Sequence, residues 1–206
     1  MVLKPLLKLS AGIDALNLLL GRLIIWFVLA SVLISAGNAI MRKAFSIGSN
    51  AFLEIQWYLF AGVFMLGVGY AMLKNVHVRI DFVSSHLSKR TNAIIDAIGI
   101  VVFTIPLSII MIDLGWPLFA QAWRSGELSQ NAGGLIRWPV LLLVPLGFAI
   151  LLAQALSELI KRVAFVAGTL PEPFTIEAEK SIEQRLAEDL AAQQEAAAAA
   201  AVAGKH

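Results

Sequence analysis

Three histidines, His77, His86 and His206, and no cysteine make up the soft-ligand inventory of this chain. Haem held between membrane helices is bound through axial histidines that face each other inside a bundle, and zinc needs several nitrogen, sulfur or carboxylate ligands at short spacing. His77 and His86 share a polar stretch with no carboxylate cluster at metal spacing, and His206 is the last residue. No metal site and no cofactor is expected. The absence of cysteine also removes disulfides and thiolate nucleophiles.

Ser31, Ser35, Asn38, Gln56, Thr104, Ser108 and Gln154 lie inside apolar runs. A hydrolase would need a nucleophile with a base in reach, and an ion pathway would need ionisable groups at membrane depth. These seven side chains are uncharged. Hydroxyls and amides in membrane helices bond across helices or back to their own backbone, so packing is their reading and neither a catalytic nor a substrate-binding residue is expected. Gly62, Gly67 and Gly69 likewise suggest close helix approach, within the bundle or to another subunit. Among the acids Glu54 stands out, at the mouth of an apolar run. It could pair with Arg42, Lys43 or a partner's cation, but a hydrated interfacial carboxylate is the reading the sequence favours.

The elements that carry these residues follow from hydropathy. The chain has 206 residues, 59% hydrophobic and only 15% charged, with a mean hydropathy of +0.80, whereas soluble domains carry roughly 25% charged residues. The apolar excess falls into charge-free runs at 23–41, 55–73, 97–112 and 138–157, of 19, 19, 16 and 20 residues. At about 1.5 Å per residue, the three longer runs match a hydrocarbon layer of about 30 Å. Asp96 and Asp113 bracket the short run, yet apolar sequence continues beyond both, from Ser88 as N-cap to Trp123. That predicts a longer, tilted helix over about 92–116, with a kink at Pro106 or Pro117. The two aspartates are then about 25 Å apart, so each can reach a membrane surface and no ionised residue is expected at the midplane. The expected fold is an all-α integral membrane protein with four transmembrane helices, spanning 23–41, 55–73, 92–116 and 138–157 within a domain covering 22–168.

Lys and Arg set the orientation, because short loops rich in them stay cytoplasmic. Lys4, Lys8, Arg22, Lys74, Arg79, Lys89, Arg90, Lys161 and Arg162 fall on one side, and Arg42, Lys43, Arg124 and Arg137 on the other. Both termini are therefore expected in the cytoplasm. Trp57, Tyr58, Trp116, Trp123 and Trp138 would form an outer interfacial belt, with Trp26 near the inner boundary. A cleaved signal peptide over 1–36 is the competing reading, but a 19-residue apolar run is too long for its core.

Outside the spans, Leu6, Leu9, Ile13, Leu16 and Leu20 recur at helical spacing, with Lys4 and Lys8 opposite. This predicts an amphipathic helix over 1–21 lying on the inner leaflet, lysines toward lipid head groups; packing on a partner helix would give the same pattern. The second loop, 75–90, fits either a strand or a helical stripe, and a short interfacial helix is preferred because a lone strand lacks a pairing partner. The segment 169–206 is an acidic, alanine-rich tail, partly helical. Residues 176–206 hold six acids and three bases, net −3, while residues 1–175 hold eight acids and thirteen bases, net +5.

Several stretches carry a family resemblance. Glu54-Ile-Gln-Trp-Tyr-Leu-Phe60, Gly69-Tyr-Ala-Met-Leu-Lys-Asn-Val-His-Val-Arg-Ile-Asp81, Ser125-Gly-Glu-Leu-Ser129, Trp138-Pro139 and Pro145-Leu-Gly-Phe148 resemble the small membrane, DctQ-like subunit of TRAP (tripartite ATP-independent periplasmic) transporters, over roughly residues 10–168. The resemblance implies an accessory subunit in the bacterial inner membrane, which holds no substrate itself. In such systems a periplasmic substrate-binding protein delivers an organic acid and a large permease subunit carries it with sodium. The Trp-Pro and Gly-Glu-Leu-Ser third loop resembles the branch associated with 2-oxo acids and other monocarboxylates. Under that resemblance Glu54, His77, Arg79, Asp81 and Glu127 become candidates for subunit contact or loop fixing: Arg79 and Asp81 at the inner loop, Glu54 and Glu127 on the outer face. The alternative is a stand-alone four-helix membrane anchor or a small homo-oligomeric channel. No nucleic-acid partner and no enzymatic activity is expected.

Overall fold

In lipid every backbone N–H and C=O must be satisfied internally, so long apolar runs fold as helices. The protein, seen here in a computed structural model, is described over residues 3–46, 48–75 and 87–170. Helix α1 spans Leu3–Phe45, α2 Asn50–Leu73, α3 Lys89–Gly99, α4 Ile105–Ser125 and α5 Trp138–Val166. A π-helical turn, Ile100–Thr104, joins α3 to α4 without a break, so among the described residues four helices are long and apolar enough to cross a membrane. Extended backbone among the described residues pairs at an isolated bridge between Leu128 and Ile136. The all-α, four-span architecture expected from hydropathy is the one the chain adopts.

The long third helix begins as its sequence predicts: the Ser88 side chain accepts a hydrogen bond from the Thr91 N–H at 3.1 Å, satisfying one of the orphan donors of the first turn. Its π turn has a local cause. Pro106 has no N–H for the carbonyl of Val102 and its ring crowds that carbonyl, and a widened turn just before the proline relieves both. Pro117, inside α4, leaves the carbonyl of Asp113 without its helical donor in the same way.

Helix α1 departs from the picture of a flat segment followed by a span. Its 43 residues are continuous, about 65 Å long, roughly twice the hydrocarbon thickness. The leucine stripe at its start stays on the outside: Leu6, Leu9 and Leu16 are 38%, 58% and 49% exposed, whereas Ser10 and Asn17 are buried. Lys4 and Lys8 are exposed as well. The polar side of this segment, not the apolar one, is what meets the rest of the chain.

Glycines set the spacing between helices. A Cβ on Gly62 or Gly67 of α2 would stand 3.0 Å from the Phe27 ring or 3.1 Å from Ile24, both on α1. On Gly69 it would stand 2.1 Å from the Asn17 side-chain oxygen, and on Gly147 of α5 2.7 Å from the backbone oxygen of Met65. The three α2 glycines therefore serve close approach inside this bundle. Gly115 of α4 gives the same service against Pro145, 3.2 Å from the position of its absent methyl group.

Candidate functional site

Two polar centres lie at opposite ends of the bundle, and each is assembled from residues far apart in sequence. The first lies where α2 begins and where the connection between α4 and α5 folds over it. Gly126, at φ +61°, closes α4, with its N–H on the carbonyl of Ala122. The Leu128–Ile136 bridge, the Ser129 N–H on Leu135 O at 2.8 Å and the Gly134 N–H on Asn131 O at 2.9 Å then form a small closed loop. Asn50, Glu54 and Tyr58, spaced four residues apart on one face of α2, grip that loop from below. Asn50 donates to Ala132 O at 3.1 Å and Tyr58 to Ile136 O at 3.2 Å.

Glu54 is the centre of this grip. One carboxylate oxygen accepts from the Ser129 hydroxyl and, at 2.7 Å, from the Asn131 amide. The other accepts from the Leu135 N–H at 2.6 Å. Only 5% of the residue is exposed, so the expectation of a hydrated carboxylate is corrected. Three loop donors take the place of water, and charge-assisted bonds of this kind are the stronger class. Neither Arg42 nor Lys43 is its partner. Glu127 lies at the edge of the same loop, paired with Arg137 at 3.0 Å and half-exposed, and the Arg137 N–H also reaches Glu127 O at 3.1 Å.

Beside the loop the aromatic residues divide into two groups. Trp116, Phe119, Trp123 and Trp138 form a continuous ladder, the Trp123 and Trp138 rings meeting edge-on at 4.6 Å. Trp57, 73% exposed, projects from α2. Tyr58 is half-buried and spends its hydroxyl on the loop. Nearby, Ser31, Ser35 and Gln56 line a groove between α1 and α2, while Ser108 bonds back to the Thr104 carbonyl at 2.7 Å, the packing role expected of it.

The second centre, between the start of α1 and the end of α5, was not anticipated from the sequence. Asn17 donates to Gln154 Oε1 at 2.8 Å, and Gln154 donates to Asp14 at 2.9 Å and Glu158 at 3.1 Å. The Ser10 and Ser157 hydroxyls meet at 2.6 Å, and Ser157 donates onward to Asp14 at 2.8 Å. Lys161 lies 3.1 Å from Asp14 and also pairs with Glu158, which in turn pairs with Arg162. Arg162 reaches across to Asp96 of α3 at 3.4 Å. Ser10, Asn17, Gln154 and Ser157 are fully or almost fully buried, and Glu158 and Arg162 are nearly so. Three carboxylates thus face two cations with amide and hydroxyl donors beside them, which lowers the penalty for ions leaving water, while the buried Asn17 Oδ1 accepts no hydrogen bond among the described residues.

Periodicity could have signalled the second centre. Ser10, Asp14 and Asn17 share one face of α1, and Gln154, Ser157, Glu158 and Lys161 share one face of α5. His77, Arg79 and Asp81 lie outside the described residues, as do the preferred helix of their loop and the tail from residue 171. Among the described residues no group of His, Cys, Asp and Glu could hold a metal ion. The two centres hold elements together: each places its carboxylates where donors already occupy them. No curated protein and no solved structure matches this chain. Residues 31–165 match the family model described as tripartite ATP-independent periplasmic transporters, DctQ component.

Proposed function

Because this chain belongs to the DctQ component family of the tripartite ATP-independent periplasmic (TRAP) transporters, we propose that it is the accessory scaffold of a sodium-coupled organic acid importer, packed against a large permease subunit that carries the solute. The family assignment itself makes it a small membrane component of such a transporter, a multi-pass protein of the bacterial inner membrane and a member of a non-enzymatic family.

The observation that carries the finer reading is how the polar groups are used. Glu54 is committed to its loop, and the cluster from Asp14 to Arg162 to its neighbours. A carrier needs binding groups near the midplane, typically in broken helices and inverted repeats. A scaffold needs rigid helices, interfacial anchors and a large apolar outer surface, and this bundle has those. Exposed side chains such as Ile25, Trp26, Phe64 and Phe103, 65–72% accessible, suit lipid or a membrane partner.

The proposed topology places both termini in the cytoplasm, with the Asp14–Arg162 cluster at the inner boundary and the loop under Glu54's control at the periplasmic face. There Glu127 and the loop rim would meet the large subunit and the periplasmic substrate-binding protein. Arg79 and Asp81 are proposed to fix the inner loop. Purification of the chain from its native membrane in mild detergent tests the reading. A large polytopic partner should co-purify, and recovery of an oligomer of this chain alone would sink the proposal in favour of an anchor or homo-oligomeric channel.

A further inference from the structure

Asp113 is an exposed residue of α4, and its carboxylate makes no hydrogen bond or ion pair with the described residues. Its depth can be measured along two helices. Trp123 and Trp138, in ring contact, mark the level at which α5 begins, and ten residues of helix from 113 to 123 put Asp113 about 15 Å below it. On α5, Pro145 faces Gly115, seven residues and about 10 Å in from Trp138. At the other end, Asp96 pairs with Arg162, about 25 Å from Asp113 along the helix. In a hydrocarbon layer of about 30 Å bounded by that tryptophan level, Asp113 is close to the middle. An aspartate side chain is too short to climb that distance, so the expectation that it reaches a surface gives way.

The surroundings make the position more unusual. Ile109, Ile110 and Trp116, at helical spacing from Asp113 on the same face, and Leu114 next to it are each 52–60% exposed, and Pro117 leaves the Asp113 carbonyl without its helical donor. An acid and an open acceptor thus share one spot on an otherwise apolar face. Ionisable residues at membrane depth face protein or a water-filled cavity, paired with an opposite charge, because lipid solvates them poorly.

We propose that this face of α4 docks onto a transmembrane helix of the large membrane subunit that presents a lysine or arginine at the same depth, with the Asp113 carboxylate and carbonyl as its acceptors. The charge determines the occupant: lipid tails offer no donor, and a second copy of this chain would bring a second carboxylate to the first. The neighbouring isoleucines, leucine and tryptophan then seal the pair from lipid, as apolar surroundings do at interface hot spots. The inference rests on the accessory-subunit reading above.

The test keeps Asp113 in place at first. A photo-cross-linking amino acid at Leu114 in the full complex should capture the large subunit; capture of lipid alone, or of a second copy of this chain, overturns the proposal. Asp113→Asn, Asp113→Leu and Asp113→Lys then follow, scored by the amount of large subunit recovered with the chain. Recovery should fall roughly tenfold for Leu and further for Lys, with Asn between wild type and Leu. The melting temperature of the isolated chain should stay unchanged, because the carboxylate makes no hydrogen bond or ion pair among the described residues. Full recovery with Leu overturns the Asp113 contact and leaves the accessory-subunit reading standing. A wild-type chain that brings down no membrane partner overturns both.

Discussion

Gly147→Ala should weaken the bundle, whereas Gly37→Ala should strengthen it, although both glycines are in mid-helix. A methyl group on Gly147 would stand 2.7 Å from the carbonyl oxygen of Met65, 2.8 Å from its Cβ and 3.0 Å from its Cα. Carbon–carbon contact becomes favourable only from about 3.5 Å, so α2 and α5 must part by roughly 0.7 Å. Two of those three contacts are with backbone, which has no alternative rotamer. Overpacking of this kind costs about 1–3 kcal/mol, and alanine's better helix propensity returns about 1 kcal/mol. The net loss is about 1 kcal/mol, a fall of roughly 2–4 °C in melting temperature for a domain of this size. Gly37 has nothing within 4 Å of the added methyl, so only the propensity gain remains and its melting temperature should rise by about 2–4 °C. Intrinsic tryptophan fluorescence during heating, with both variants in the same detergent, measures the pair. Shifts of the same sign and size would refute the claim that α5 rests on the Met65 backbone.

Three further outcomes follow from the two polar centres. With no native cysteine, the double variant Ser10→Cys, Ser157→Cys should form a disulfide on mild oxidation, seen as a faster-migrating band; its absence would mean that the start of α1 does not lie on α5. Asp14→Asn should cost about 1–2 kcal/mol by leaving Lys161 with one acid fewer. Adding Lys161→Met should cost less than the sum of the single changes, and strict additivity in thermal melts would argue against the pair. Glu54→Gln keeps the shape but removes the charge that draws three donors, so hydrogen exchange at the Leu135 amide should quicken severalfold while α5 exchange is unchanged. An unaltered Leu135 rate would show that the loop holds itself.

The four spans, the Ser88 cap and the glycine contacts of α2 were legible because each has a local signature in hydropathy, capping chemistry or residue size. Glu54 was singled out for its position, but not for its partners: Ser129, Asn131 and Leu135 come from a loop more than seventy residues away, and no periodicity relates them. The cluster between α1 and α5 was missed for a different reason. The leucines of residues 6–20 suggested a lipid-facing segment and left its other side without a role, whereas the polar side is the one that meets the rest of the chain. Ser10, Asp14 and Asn17 carried the information, at spacings of four and three, and the leucine stripe drew attention from it. For Asp113 the difference lies in the helix end: a helix of about 92–116 puts it near an end, whereas α4 runs on to Ser125, and the depth proposed for it rests on that extension.

The π turn at Ile100–Thr104 also sets the azimuth of everything after it. Each residue of an α-helix advances about 100° around the axis, and a π turn absorbs one residue without that advance. Asp96 and Asp113 sit on either side of it, so which way the second points, given that the first is held by Arg162, depends on one supernumerary residue. Winding the same residues as a regular α-helix throughout would swing Asp113, Trp116 and Trp123 together by about 100°. The helix would still cross the bilayer, with the same hydropathy and the same ends, but its acid would face another quadrant. In this protein a phase shift inside an apolar segment, invisible to composition, decides what the surface offers a neighbour.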